Sequence, residues 1–257
     1  MIISVFGKNG AGKTSIAIHL AKAYAQKNKF VSVVSLEMRY GSLQRSMAVD
    51  VAEEKSIINI LTQDDIKDYF TRYDDNIYIA SLANADDITK YDAINNLAKD
   101  DTILAAFIKK LDSNFDITII DLTELIIDPF TFFVIKNSDY FINVTESRAD
   151  GLAFANSHKE IIASIIDNEK VINVINKHDE AIVNLNTIKS VYGEIDVCIN
   201  FSIDDIKKER ENKLSKNLLE KSEQIMQIIE KRNGKKEVKE DIKQNSKKEI
   251  FKKLFRR

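Results

Sequence analysis

Eight residues near the start of the chain carry its clearest chemistry. Gly7-Lys8-Asn9-Gly10-Ala11-Gly12-Lys13-Thr14 satisfies G-x-x-x-x-G-K-[ST], the pattern of a P-loop. Glycines let such a loop turn back so that several backbone N–H groups converge on one anion, and the helix that follows adds its positive end. On this reading the backbone from Gly7 to Ser15 cradles nucleotide phosphates. Lys13 reaches the β- and γ-phosphates, and the Thr14 hydroxyl ligates Mg²⁺. The bland alternative is a chance match in a glycine-rich loop. It is weak, because the chain has only seven glycines and three fall between positions 7 and 12.

A phosphate cradle needs a strand before it and a helix after it, and both are expected here. Ile2-Ile3-Ser4-Val5-Phe6 is an apolar, partly β-branched run; Ile16, Leu20 and Ala23 recur at helical spacing beyond the loop. Further strands are predicted at Val31 to Leu36, Asn76 to Ala80, Asp116 to Asp121, Tyr140 to Val144, Val171 to Ile175 and Ile195 to Ile199. These runs are nearly continuous in apolar residues, as strands covered on both faces of a parallel sheet should be. Between them lie a polar, partly helical stretch to about Asp74 and a helix from Asp101 to Leu111. The only proline, Pro129, falls between predicted elements. The expected fold is α/β, a doubly wound and mostly parallel sheet of the P-loop NTPase kind. From Ile203 one helix is predicted to about Arg232, closed by Asn233-Gly234. The organisation expected is a domain over residues 1–232, a charged flexible linker over 233–246 and a basic amphipathic helix over 247–257.

Composition narrows the function classes. No stretch approaches 18 consecutive apolar residues, so no membrane span is expected, and the start lacks the basic region of a signal peptide. A single cysteine, Cys198, excludes an intramolecular disulfide and reads as a buried strand thiol. Three scattered histidines form no metal-ligand spacing. A cytoplasmic protein is expected. Formal net charge is −2, but the last eleven residues carry six Lys/Arg against one Glu, so the remainder stands at −7. Any anionic surface would be met by the tail.

Lys8 is a second lysine in the loop. Lys8-Asn9-Gly10-Ala11-Gly12-Lys13-Thr14 resembles the K-G-G-x-G-K-T loop of the MinD/ParA group of deviant Walker-A ATPases, departing from it at Asn9. Asparagine tolerates positive φ better than other non-glycine residues, so the loop can keep its shape. The resemblance implies that Lys8 reaches across an ATP-sandwich homodimer to the partner's phosphates. Phe115-Asp116-Ile117-Thr118-Ile119-Ile120-Asp121 resembles the family's F/Y-D-x-x-x-x-D, which makes Asp121 the carboxylate that holds Mg²⁺ and Asp116 a structural residue. Where the family shows D-x-D after the second strand, this chain reads Ser35-Leu36-Glu37. Glu37 keeps the second carboxylate and is implied to orient the attacking water; Ser35 lacks the first, which implies slow hydrolysis. Met38-Arg39-Tyr40-Gly41-Ser42-Leu43 resembles the corresponding stretch of the pilus- and flagellum-associated branches, the CpaE/TadZ and FlhG types.

Two motifs remain. Asn176-Lys177-His178-Asp179 spells N-K-x-D, the guanine-reading motif of GTPases, at the end of a predicted strand. The MinD/ParA resemblance instead places an adenine-reading asparagine there, so Asn176 serves either base, and Lys8 favours ATP. In the tail, Ile250, Phe251, Leu254 and Phe255 recur at helical spacing, flanked by Lys252, Lys253 and other cations. This is the pattern of an interfacial helix and is similar to the membrane-targeting end of MinD. Packing on a protein and contact with nucleic acid remain open for it. The whole implies an ATP- and Mg²⁺-dependent dimerising switch, reversibly peripheral on the inner face of the cell membrane. It would position a septum, flagellum, pilus or DNA with an activating or cargo protein. A hydrolysis-poor scaffold of a pilus or secretion system is the alternative. A bacterial P-loop tyrosine kinase fits less well, since no tyrosine follows Tyr192.

Overall fold

The apolar runs pair side by side into one sheet. A computed structural model describes residues 1–37, 42–83, 92, 94 and 96–254, with side chains as far as residue 235. Its strands are β1 (Ile2–Gly7), β2 (Val31–Ser35), β3 (Thr71–Asp74), β4 (Ile77–Ala80), β5 (Ile117–Asp121), β6 (Tyr140–Glu146), β7 (Val171–His178) and β8 (Val197–Asn200). Their order is β3-β4-β2-β5-β1-β6-β7-β8, so the chain winds outward from β1 in both directions. Every pairing is parallel except that of β3 with β4. The doubly wound α/β expectation holds.

The described helices are α1 (Lys13–Ala25), α2 (Ser42–Met47), α3 (Ile57–Thr62), α4 (Asp101–Asn114), α5 (Pro129–Asn137), α6 (Ala149–Ile165), α7 (Leu185–Tyr192), α8 (Ile203–Arg210) and α9 (Lys216–Leu254). They cover both sheet faces. On one face Ile16 and Leu20 of α1 and Leu218, Ile225 and Ile229 of α9 pack over Ile3, Val5 and Val33. On the other, Leu104, Phe107, Val134 and Ile162 from α4, α5 and α6 pack over Phe6, Val34 and Ile120. Burial on both faces explains why these strands read as unbroken apolar runs.

Four sequence expectations change. The stretch before Asp74 ends in β3, an antiparallel edge strand too short and too exposed to show alternation. Pro129 does not lie between elements: it opens α5 behind Asp128, whose carboxylate accepts from Thr131 N at 2.9 Å. The helix expected from Ile203 to Arg232 is broken into α8 and α9. Asn212 takes a left-handed φ of 54° in the break, and Ser215 starts α9 by accepting from Leu218 N at 3.2 Å. Lastly, α9 runs through Asn233-Gly234 and across 233–246, where a flexible linker was expected. Asn233 is held by the Tyr140 hydroxyl at 2.9 Å and Gly234 does not adopt the positive φ of a helix cap, so nothing stops the helix there.

Candidate nucleotide site

Register places the chemistry. Val5 of β1 and Ser35 of β2 both pair with Asp121 of β5; Gly7 pairs with Val144 of β6, and Glu146 with Asn176 of β7. Five neighbouring strands therefore end together, and the row of residues at their ends reads Glu37, Asp121, the P-loop, Glu146 and Asn176. The loop leaves β1 where the winding direction reverses, the crevice in which open α/β sheets bind ligands.

The loop is shaped by close approach. A Cβ on Gly7 would meet the Val144 carbonyl oxygen at 2.1 Å, and one on Gly12, at φ 92°, would meet Asn176 Nδ2 at 2.2 Å. Neither position admits a side chain. Gly12 is the N-cap of α1, no side chain caps that helix, and its first turn holds no acid. Its opening N–H groups are left for an anion to satisfy. Lys13 is buried, with Nζ donating to the Lys8 carbonyl at 3.3 Å across the loop. Ser15 adds its carbonyl as acceptor for His19 at 2.7 Å.

On the β5 side, Thr14 donates its hydroxyl to Asp121 Oδ2 at 2.7 Å. Asp121 Oδ1 is buried without a hydrogen-bond partner among the described residues. Burial lifts this carboxyl to about 6; Lys13 and the Thr14 hydroxyl pull the other way, and the charge of Glu37 pushes it up further. A hydroxyl, a carboxylate with one unsatisfied oxygen and a neighbouring acid form a donor set that fits Mg²⁺ and its waters. Ser35 keeps no acid here: its hydroxyl bonds Ser42 Oγ at 2.9 Å and accepts from Glu37 N at 3.2 Å. Asp116 sits at the far end of β5, accepting from Phe30 N at 2.9 Å.

On the other side the contacts are closed. Asn176 is buried, with Nδ2 donating to the Ala11 carbonyl at 2.8 Å and Oδ1 accepting from Lys177 N at 2.9 Å. Lys177 Nζ donates to the Gly10 carbonyl and lies 3.6 Å from Glu146 Oε1. Lys8 is ion-paired with Asp150 of α6 at 2.6 Å, which raises its ammonium pKa and lowers that of Asp150. Asn9 does not use positive φ. Its N–H and Nδ2 instead grip the two oxygens of Glu124 at 2.9 and 3.0 Å.

The family model described as AAA domain matches residues 1–173 of the chain. The chain belongs to that family, and its fold is of the MinD/ParA P-loop type. Among solved structures its fold is similar to a ParA family ATPase from Chlorobium tepidum TLS, at 17% identity and TM-score 0.72 over 86% of this chain and 96% of that one. A putative plasmid partition protein from Borrelia burgdorferi B31, bound to AMPPNP, is 18% identical with TM-score 0.72 over 90% and 98%. The septum site-determining protein MinD from Pyrococcus horikoshii OT3, complexed with Mg-ADP, is 16% identical with TM-score 0.69 over 90% and 94%. No curated protein matches.

The structure brings Lys13, Thr14, Asp121 and Glu37 to one side of the loop and Asn176 to the other. Sequence reasoning missed Glu124, Ser147 and Asp150, which reach the loop or the end of β7 through long-range contacts and have no motif of their own. Lys177 was in view inside N-K-x-D, but its grip on the loop was not. The Met38-Arg39-Tyr40-Gly41 stretch and Phe255 lie outside the described residues. So do the side chains of Ile250, Phe251, Lys252, Lys253 and Leu254, whose backbone ends α9. No helix of the described residues is long and apolar enough to cross a membrane.

Proposed function

We propose that this chain is an ATP-dependent dimerising switch of the MinD/ParA kind that positions a cellular structure. The observation that carries the reading is the uncapped start of α1 beside the unsatisfied oxygen of Asp121, with Thr14 between them. The loop N–H groups and Lys13 hold the phosphates of ATP. Thr14 and Asp121 hold Mg²⁺, which neutralises phosphate charge when bound, and Glu37 orients the attacking water. Lys8 stands partly exposed at the rim of the loop, and reaching a second protomer's phosphates requires only that it leave Asp150. The named functions of the structural neighbours, plasmid partition and septum-site determination, support a positioning role, and two of them hold adenine nucleotides. The tail from Ile250 to Phe255 binds an anionic membrane surface, and two copies in a dimer reinforce each other through effective concentration. An activating or cargo protein completes the cycle, which keeps the protein reversibly peripheral on the inner face of the membrane.

Light scattering tests the reading. Wild-type protein should double in mass with Mg·ATP, and Lys8→Ala should stay monomeric while still binding ATP. Equal dimerisation of both would remove the cross-subunit role of Lys8. One observation favours a second reading, a hydrolysis-poor scaffold: the hydroxyl standing in for the first acid is turned to Ser42. Absence of turnover with anionic liposomes present would select it.

A further inference from the structure

The departure at Asn9 is answered by a residue from the neighbouring strand end. Asn9 N and Nδ2 donate to the two carboxylate oxygens of Glu124 at 2.9 and 3.0 Å, so one side chain closes on a loop residue at two points. Glu124 lies just beyond Asp121, in the stretch between β5 and α5. That stretch carries Leu125 and Ile127, which are 52% and 78% exposed, on either side of buried Ile126. A second contact closes the same part of the loop, from Lys13 Nζ to the Lys8 carbonyl at 3.3 Å.

The grip on Asn9 stands where a ligand must loosen it. A carboxylate is an anion, and here it takes a backbone donor from a loop whose own ligand is an anion. It is not alone: Asp150, Glu146 and Glu124 all exert their charge on the Lys8 ammonium, so three acids stand near the loop's opening. Like charges a few ångströms apart repel strongly where water screens them incompletely. Both contacts to Asn9 are exposed, unlike the buried grip of Asn176 on Ala11. Water can therefore replace them, and breaking them strands no buried group. With the base on the Asn176 side, the last phosphate of a triphosphate reaches the β5 side, beside Asp121 and Glu124. We propose that Glu124 is a latch on the empty loop that the γ-phosphate releases, so that this residue tells a nucleoside triphosphate from a diphosphate. Release frees the turn bearing Leu125 and Ile127, and that apolar surface then follows the nucleotide state. The proposal rests on the P-loop reading above and deepens it.

Titration calorimetry of the full chain with Mg²⁺ and AMPPNP or ADP is the first test. Glu124→Gln keeps the shape of the contact and removes its charge. It should bind AMPPNP roughly tenfold more tightly than wild type, the scale of one charge-assisted hydrogen bond, and ADP within about twofold of wild type. Ile127→Trp reports the turn directly, since the chain contains no tryptophan. Its emission, read at concentrations where light scattering shows a monomer, should shift with Mg·AMPPNP and not with Mg·ADP. With Glu124→Ala added, the nucleotide-free emission should already match the AMPPNP-bound value. Unchanged or weaker AMPPNP binding by Glu124→Gln would make Glu124 a brace and overturn the proposal. So would equal tightening of both nucleotides, or an emission that ignores AMPPNP. In each of these cases the P-loop reading stands, because wild type still binds nucleotide. Wild type binding neither nucleotide would overturn both readings.

Discussion

The two flanks of the P-loop are built to opposite rules. On the β5 side a carboxylate is buried with one oxygen unpaired among the described residues and its pKa pushed up to about 6. On the β7 side every polar group that touches the loop is matched: Asn176 by Ala11 and Lys177, and Lys177 by Gly10 and Glu146. Unsatisfied buried groups raise the energy of the empty protein and are relieved by a ligand; satisfied ones hold geometry. One flank is thus a receptor for charge and the other a brace.

The sharpest way to break the contrast is to remove what lies between the flanks. Lys13→Ala should lower Mg·ATP affinity about 100-fold or more, because a charge-assisted contact to phosphate disappears. Calorimetry showing near-wild-type affinity would mean that the phosphates sit elsewhere.

Asp121→Asn should reveal the strain of the β5 flank. Below the ordinary carboxyl pKa of 3.8 the folded and unfolded chains are both protonated at Asp121, and no penalty exists. Between 3.8 and about 6 the unfolded chain ionises first, so stability falls as pH rises, and the full penalty stands above 6. From that interval the penalty is ~3 kcal/mol. Nucleotide-free Asp121→Asn should therefore gain melting temperature relative to wild type at pH 8 but not at pH 3.5. An equal effect at both pH values would place the carboxylate in a relaxed environment.

The brace should respond with the opposite sign. Asn176→Ala strands the Ala11 carbonyl and Lys177 N in a buried setting and should destabilise the nucleotide-free protein by about 1–3 kcal/mol. Denaturant melts that leave the midpoint unchanged would show that the loop holds its shape unaided.

The smallest effect lies midway along α1. His19 Nε2 accepts from Ser215 N at 2.9 Å while Nδ1 meets the Ser15 carbonyl at 2.7 Å, so the ring is neutral, and burial lowers its pKa below 6.5. Stability from this contact is present above pH 6.5 and lost below it, where the unfolded chain takes up the proton more readily. Loss of that hydrogen bond costs about 1 kcal/mol. Protection of the Ser215 amide, taken relative to its intrinsic exchange rate, should fall between pH 7 and pH 5.5; protection constant across that range would rule the coupling out.

Much of the site was legible because its parts are local. A P-loop is eight consecutive residues, its strand and helix adjoin it, and Asp121 closes an unmistakably apolar run. The other flank was half legible. Asn176 and Lys177 stood in a motif, but which carbonyls they hold depends on β7 lying two strands from β1. The role offered for Asn9 was wrong in mechanism: the loop tolerates it because Glu124 grips it, not because asparagine accepts positive φ. At β3 and at the α8–α9 break, local turn chemistry was present in Asp74-Asp75-Asn76 and in Asn212 to Ser215. Apolar periodicity ran past both and concealed them.

From the sequence alone come the P-loop, its lysines, the terminal carboxylate of β5 and a sheet covered on two faces. Each depends on residue type and short-range spacing, which the chain carries wherever it folds. Tertiary structure alone decided which polar atoms meet. It paired Thr14 with Asp121 and left one oxygen over, parked Lys8 on Asp150, and fastened Asn176 and Lys177 to the loop. Those pairings join residues more than 100 positions apart, and only the strand order brings them within hydrogen-bonding distance.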